Sequence, residues 1–185
     1  MREQDMDQVM IKGFIIGNVL DLVRGTMSAS DFADLEEELG LSYKTLKLAY
    51  FKDYPVEIQL RAEEKVAQIL WQRSDDGAFY KFARLNFEAF AKTAIGRTAL
   101  ALVGKDPKRL VKASIRLMST VMKGMKVEVE DRGEDSISFR FRNNPYRPLG
   151  WQGVIDAVLE SAGVTPEVKI VKHGPTDTEY LVTWS

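Results

Sequence analysis

The sequence contains no cysteine and a single histidine, His173. A chain without cysteine forms no disulfide, no thiolate metal site and no cysteine nucleophile. One histidine is too few for a two-histidine zinc site, and a Ser-His-Asp arrangement would depend on His173 alone. Because Gly174 and Pro175 follow it, His173 is typical of an exposed turn. We therefore predict no catalytic residue and no metal site.

Long apolar runs and nucleotide-binding motifs are missing as well. The uncharged stretches are much shorter than the about 20 apolar residues that a membrane span requires. Residues 1–10 carry Arg2, Glu3, Asp5 and Asp7, which is not the pattern of a secretory signal. No phosphate-binding loop, dinucleotide fingerprint or nucleophile elbow is found. Together with the lack of cysteine, these features predict a cytoplasmic protein with no membrane span and no cofactor.

What the sequence does contain is an uneven distribution of charge. The formal net charge is −1 over 185 residues. Residues 92–126 nevertheless carry nine basic side chains and a single acidic one, Asp106, and acidic residues are in excess on both sides. Such an excess of one sign favours a surface for a partner of opposite charge. The nine basic residues are Lys92, Arg97, Lys105, Lys108, Arg109, Lys112, Arg116, Lys123 and Lys126.

In the first two-thirds of the chain, apolar residues recur at helical spacing. Gly13 and Gly17 share one helix face, where small residues permit close approach of another element. Gly96 and Gly104 are expected to interrupt the helices, and Asp106-Pro107 begins the clearest one, which Gly124 ends. Predicted helices cover about residues 8–25, 30–39, 55–73, 76–92 and 107–123.

From Met125 onwards the period changes to two, which is typical of strands. The order β-β-α-β-β predicts an antiparallel sheet with a helix across one face. The fold class is therefore α+β in a single domain, with a helical part at about 8–123 and a sheet part at about 125–185. The elements of the sheet part lie near residues 125–130, 137–142, 151–162, 167–172 and 179–184.

Several motifs resemble a bacterial domain family of roughly this length. They are Arg147-Pro148-Leu149-Gly150-Trp151-Gln152-Gly153, the helix after it, and the closing residues Tyr180 to Trp184; the stretch from Phe90 to Arg97 fits the same pattern. The family is best represented in myxobacteria and has no assigned function. The resemblance covers nearly the whole chain.

The layout is more distantly similar to haem-nitric oxide/oxygen-binding (H-NOX) domains and to 4-vinyl-reductase-like domains. Ile11-Lys12-Gly13 precedes an amphipathic helix, and a later helix is followed by Lys123-Gly124-Met125, a hairpin, a helix and two strands. The resemblance implies an H-NOX-like fold with a pocket between the helical part and the sheet.

The haem-binding residues of H-NOX domains do not carry over to this sequence. By spacing from Gly124-Met125, their proximal histidine falls close to Ile115 or Arg116, and neither is the imidazole that haem iron would need. Their Tyr-x-Ser-x-Arg signature, which holds the haem propionates, should fall near residues 139–147. The sequence there, which includes Phe-Arg-Phe-Arg-Asn-Asn, lacks it. The resemblance therefore implies the pocket without the haem.

Two sets of residues are candidate sites. A set of aromatic and methionine side chains either forms ordinary core or lines an apolar ligand pocket. A set of basic residues opposite the apolar stripe of helix 107–123 forms either a solvated face or a docking face. The pocket candidates are Phe79, Phe82, Phe87, Phe90, Met118, Met122, Phe139 and Phe141. The docking-face candidates are Lys108, Arg109, Lys112, Arg116 and Lys123.

These observations favour a non-enzymatic sensor or adaptor domain. It would dock a partner protein or a second copy of itself as a dimer, and hold an apolar small ligand at the helix–sheet junction. The alternative is an enzyme or carrier that acts on a lipophilic small molecule, which the 4-vinyl-reductase-like resemblance keeps open. Nucleic-acid binding through the basic helix is not expected near physiological salt, because acidic segments flank it.

Overall fold

The computed structural model describes residues 8–49 and 51–185, without the side chain of Ile95. Residues 1–7, which bear on the predicted absence of a secretory signal, lie outside the described residues. The elements in chain order are β1 (Met10–Lys12), α1 (Gly13–Arg24), α2 (Ala29–Leu39), α3 (Tyr43–Leu48), β2 (Asp53–Pro55), α4 (Val56–Trp71), α5 (Asp76–Lys92), α6 (Ala94–Val103), α7 (Pro107–Val121), β3 (Met122–Lys123), β4 (Lys126–Gly133), β5 (Ser136–Arg142), α8 (Pro148–Ser161), β6 (Pro166–Gly174) and β7 (Asp177–Trp184).

Helix α1 lies at the centre of the helical part. Its residues Ile16, Val19 and Val23 are fully buried because they share one face at helical spacing. The helix begins later than predicted, at Gly13, because residues 10–12 form strand β1. This strand pairs antiparallel with β2 on one side and β3 on the other, so the helical part contains a small sheet that the periodicity did not indicate.

The glycine face of α1 serves internal packing. A Cβ atom at Gly13 would lie 2.8 Å from Cε2 of Tyr54 in β2, and the Gly13 N–H donates to the Lys52 carbonyl at 2.9 Å. Gly17 is buried beside the side chain of Lys47. Neither glycine is therefore available to a partner molecule.

Helix α6 continues through the position where the sequence predicted a break. Thr93 caps the helix, since its Oγ1 accepts a hydrogen bond from the Gly96 N–H at 2.9 Å. Among the residues of α6 whose burial the structure describes, Gly96 alone is buried. The helix consequently lies on the surface, packed against α5 and α7.

The sheet part is a four-stranded antiparallel sheet in the order β4-β5-β7-β6. Phe139 and Phe141 of β5 and Tyr180 of β7 are buried on the face that α7 and α8 cover, and Phe139 is paired in register with Tyr180. Alternate residues form the opposite face, where Arg140 donates to both carboxylate oxygens of Asp177 at 2.7 and 2.6 Å. The predicted α+β class and antiparallel sheet are confirmed.

Helix α8 packs closely against α5 and thereby joins the sheet part to the helical part. Gly153 makes the approach possible, because a Cβ atom there would lie 2.4 Å from the Tyr80 carbonyl oxygen and 3.2 Å from Cβ of Ala83. Polar contacts extend the same interface. The Tyr80 hydroxyl donates to Asp156 at 2.7 Å, and Arg84 donates to Glu160 at 2.9 Å.

We expect the substitution Gly153→Ala to destabilise the protein by at least about 2 kcal/mol, because the new methyl group meets a backbone carbonyl that cannot rotate away. That loss corresponds to a fall in Tm of roughly 4–8 °C for a chain of this size, measured by differential scanning calorimetry. The matched control is Gly150→Ala in the same helix, where no atom outside the neighbouring backbone of α8 lies within 4 Å of the added Cβ. Equal effects of the two substitutions would contradict the close approach.

Candidate functional site

A small apolar cavity lies between α7, α8 and the sheet. Its volume is about 30 Å³, and Ser114 carries the one hydroxyl group of its lining. The lining comes from the two helix stripes and from β5, so three separate elements enclose it. The lining residues are Val111, Ser114, Ile115, Met118, Phe139, Phe141, Trp151, Val154, Ile155 and Val158.

Helix α7 positions the cavity with one face and exposes cations on the other. The Asp106 side chain caps the helix by accepting a hydrogen bond from the Arg109 N–H at 2.7 Å, and Pro107 occupies the first turn. Ile115 and Met118 face inwards to the cavity. Arg116 is exposed, because it lies about half a turn away from the inward stripe.

Aromatic rings fix the floor of the cavity. The rings of Phe141 and Trp151 stack with their centroids 4.4 Å apart. The Trp151 indole N–H donates to Oδ1 of Asn144 at 3.1 Å, and the same oxygen accepts from the Tyr146 backbone N–H at 3.1 Å. The Tyr180 hydroxyl donates to the Pro148 carbonyl at 3.1 Å. These bonds hold the indole in one orientation.

The structure brings together three of the eight predicted pocket residues. Met118, Phe139 and Phe141 line the cavity. The other five lie elsewhere: Phe79 and Phe82 are buried on α5, Phe87 and Phe90 lie partly buried on the same helix, and Met122 is buried in β3. The residues that sequence reasoning missed are those of α8 and the inner face of α7. Their apolar stripes were recognised, but periodicity does not show that two stripes face each other.

The predicted basic face is partly neutralised within the fold. Lys108 and Lys112 bind Asp131 of β4 at 2.7 and 3.0 Å, and together they hold the pKa of Asp131 well below its usual range. Lys123 binds Asp53. Arg109 and Arg116 are exposed and form no ion pair within residues 8–49 and 51–185. The helix therefore carries some cations that are paired within the fold and others that are left to solvent.

A buried polar cluster, Gln59, Glu63 and Tyr146, links α4 to the segment before α8. Gln59 donates to the Glu63 carboxylate at 2.6 Å and accepts from the Tyr146 hydroxyl at 2.8 Å. Glu63 has no cation beside it, so burial raises its pKa to about 8. Burial, followed by the nearby Glu63, raises the pKa of Tyr146 well above its usual value.

Sequence reasoning did not single out Glu63. A signal was available, however, because Glu63 continues the stripe of Val56, Gln59 and Val66, which are all buried on α4. A carboxylate at a stripe position is either paired or has a raised pKa.

The residues at the junction do not fit haem. Of the two positions at which the H-NOX resemblance places a proximal ligand, Ile115 lines the cavity and Arg116 faces solvent. His173 lies on β6. Its Nε2 is 2.9 Å from the Glu179 carboxylate, on the face of the sheet that points away from the cavity. The cavity of about 30 Å³ is also far smaller than the roughly 300–1,000 Å³ of ordinary ligand pockets.

The described residues contain neither a metal-binding cluster nor a membrane-spanning helix. No group of three or more His, Cys, Asp or Glu side chains there could hold a metal ion. No helix in that part of the chain is long and apolar enough to cross a membrane.

The buried carboxyl of Glu63 should make stability depend on pH. Its pKa of about 8 exceeds the ordinary value of 4.5, so the folded state holds the proton more tightly than the unfolded state. The free energy of unfolding should therefore fall as pH rises from about 4.5 to about 8, by at most about 1.4 kcal/mol per pH unit from this group. Glu63→Gln should remove that slope and be more stable than wild type at pH 8. Denaturant titrations at several pH values measure it.

The matched control is Glu64→Gln, which removes the same charge from an exposed position of the same helix. Parallel pH dependence of wild type and both variants would show that Glu63 is ionised at no cost in the folded protein.

The fold is similar to solved structures of H-NOX proteins. An Fe(II) unliganded H-NOX protein from K. algicida matches with a TM-score of 0.62 and 15% identity, covering 95% of this chain and 97% of that chain. A mutant H-NOX of T. Tengcongensis matches with a TM-score of 0.67 and 13% identity, covering 95% and 98%. At these identities the likeness shows a shared fold. The predicted H-NOX-like layout is thus confirmed.

No curated protein matches the sequence significantly. A family model does, over residues 10–185, which is nearly all of the chain. The predicted membership of a domain family without an assigned function is confirmed: the chain belongs to the family described as "Protein of unknown function (DUF2378)".

Proposed function

We propose that the protein is a non-enzymatic sensor or adaptor domain, in which a small apolar molecule at the helix–sheet junction modulates the docking of a protein partner. The observation that carries this proposal is the double role of α7. Its inner face, with Ile115 and Met118, lines the cavity, and its outer face presents Arg109 and Arg116 to solvent. A helix moves as a rigid element, so a molecule that displaces the inner face also displaces the outer face.

The size of the cavity limits the ligand. A volume of about 30 Å³ is close to the share of one water molecule in the liquid. The ligand therefore has few heavy atoms, or it enters by moving lining side chains. Met118 is suited to such a movement, because an unbranched thioether has three rotatable bonds and fills irregular space at low cost.

The chemistry of the lining supports binding rather than catalysis. None of the ten lining side chains titrates, and Ser114 has no histidine or carboxylate in the lining to activate it. The alternative, an enzyme acting on a lipophilic molecule, would need such a group or a bound cofactor. The same lining serves a carrier equally well, so the docking face is what favours a sensor or adaptor.

The outer face of α7 supplies the docking contacts of the proposal. Arg109 and Arg116 meet the carboxylates of a partner without first breaking an ion pair to another described residue. Exposed ion pairs stabilise by only about 0–1 kcal/mol each, so these cations steer association and an apolar contact has to hold the complex. The partner is a second protein or a second copy of the chain, in a cytoplasm that the lack of cysteine favours.

We expect freshly purified protein to be colourless and to gain no Soret band when haem is added, because the H-NOX resemblance places the iron ligand at Ile115 or Arg116 and neither is a histidine. Native mass spectrometry should show the chain alone or with a small apolar adduct. An H-NOX domain treated in parallel is the positive control. Stoichiometric haem uptake with a sharp Soret maximum would overturn this part of the proposal.

Charge reversal on α7 should weaken the attraction of the protein to polyanions. Although the net charge is −1, wild type should be retained on immobilised polyglutamate at low salt. The double variant Lys112→Glu/Arg116→Glu should elute earlier. Its Tm should differ from that of wild type by no more than about 2–4 °C. The matched control is Lys126→Glu/Lys169→Glu, which makes the same charge change on strands β4 and β6. Identical elution of all three proteins would remove the docking face.

A further inference from the structure

The corner where α6 meets α7 exposes an apolar side chain among cations. Leu102, in the last turn of α6, is 84% exposed. This is the highest exposure among the large apolar side chains of the described residues. Lys105 and Arg109 follow it and are exposed as well. Three residues of chain span at most about 11 Å, so Leu102 and Lys105 lie close together.

The outward face of α6 has an unusual composition. Ala94, Thr98 and Ala101 recur at helical spacing and are all exposed, and Arg97 lies beside them. The Thr98 hydroxyl donates to the Ala94 carbonyl at 2.9 Å, so it makes no demand on solvent. Small side chains allow another helix to approach to the short end of the usual 8–10 Å between axes.

The cations around this corner lack internal partners. They are exposed and form no ion pair with any residue in 8–49 or 51–185, in contrast to Lys108, Lys112 and Lys123 on the same basic segment. An unpaired cation keeps its hydrogen-bond donors for an incoming carboxylate. The unpaired set is Lys92, Arg97, Lys105, Arg109 and Arg116.

We propose that the α6–α7 corner docks an acidic amphipathic helix of a partner protein. Leu102 is the apolar anchor, the small-residue face of α6 receives the backbone of the incoming helix, and Arg97, Lys105 and Arg109 bind its carboxylates. This rests on the proposed function: it extends the docking face of α7 onto α6 and names the chemistry of the partner. It also supplies the apolar contact that the docking face of α7 needs.

A second copy of the chain fits this corner less well. Two α6 helices facing each other would bring like charges together. The acidic face of the chain itself is on α2, where Asp34 and Glu37 are exposed, but the large apolar residues of α2 are buried. Charge alone steers association without holding it, so this surface lacks the contact that Leu102 requires.

An anionic lipid surface also fits less well. A helix that lies in a membrane interface inserts several large apolar side chains along one face. Among the described side chains on the outward face of α6, Leu102 is the one large apolar side chain, and its neighbours are alanine and threonine. A small-residue face brings no advantage in lipid but permits close packing against a helix.

The test is selection of a displayed library of helical peptides on the immobilised full chain. We expect enriched peptides to be acidic, with apolar residues at i and i+3 or i+4, and to bind more weakly as salt rises. Leu102→Gln should weaken them at least about tenfold, as loss of an interface anchor does. Lys169→Gln, which removes an exposed cation from β6, is the control and should have no effect.

The outcomes separate this inference from the proposed function. Weakening by Lys112→Gln/Arg116→Gln without any effect of Leu102→Gln or Arg97→Gln would keep the α7 docking face and overturn the α6 anchor. Absence of acidic amphipathic peptides from the selection would overturn both. Two other results would overturn the inference. If sedimentation velocity shows a dimer that Leu102→Gln abolishes, the corner binds a second copy of the chain. If the protein binds phosphatidylserine vesicles and Leu102→Gln abolishes that binding, the corner binds a membrane.

Discussion

The burial of α8 on two sides is the constraint on which the rest of the structure depends. Gly153 faces α5 at a distance that admits no side chain, while Trp151, Ile155 and Val158 face the sheet and the cavity. One helix thus belongs to two interfaces at once. Because every residue from Ile155 to Leu159 is buried, α8 cannot shift toward either side without opening the other. Helix α7 also borders the cavity, but it is less constrained, because its other face is exposed to solvent.

The cavity is small because its walls are ordinary core residues. Phe141 stacks on Trp151, Phe139 meets Phe141 edge-to-face, and Ile115 fills part of the lining with an aliphatic side chain. The H-NOX-like fold is therefore compatible with a junction that holds only a small cavity. Binding of a larger molecule at this junction would require Met118 and its neighbours to rearrange. The packing energy of these side chains, and not the topology of the fold, sets the cost of that rearrangement.

Local patterns were sufficient to predict most elements of the fold. Alternation gave the hairpin of β4 and β5, and the cap and stripe of α7 were visible in Asp106-Pro107 and the residues after it. Strand β1 was missed, because its three residues gain their stability from pairing with β2 and β3, which are distant in sequence. Helix α6 was missed for another reason. Gly96 suggested a break, but the Thr93 cap stabilises the first turn around it.

The candidate site was less predictable than the fold, since its residues meet through tertiary contacts. Composition selected Phe79 and Phe82 as readily as Phe139, although the first two pack on α5 away from the cavity. The charge asymmetry was a better guide. It identified the basic segment, but only coordinates show that Asp131 neutralises Lys108 and Lys112 while Arg109 and Arg116 are left for solvent.

Polar groups are buried beside the junction of the helices and the sheet. Glu63 is buried without a cation, and the side-chain nitrogen of Asn144 has no hydrogen-bond partner among the described residues. Each such group costs free energy that an apolar residue of similar shape would not. Both lie near Tyr146, on the path from α4 to the floor of the cavity. The boundary between α4 and the segment before α8 therefore contains buried polar groups whose loss of water is only partly offset by hydrogen bonds.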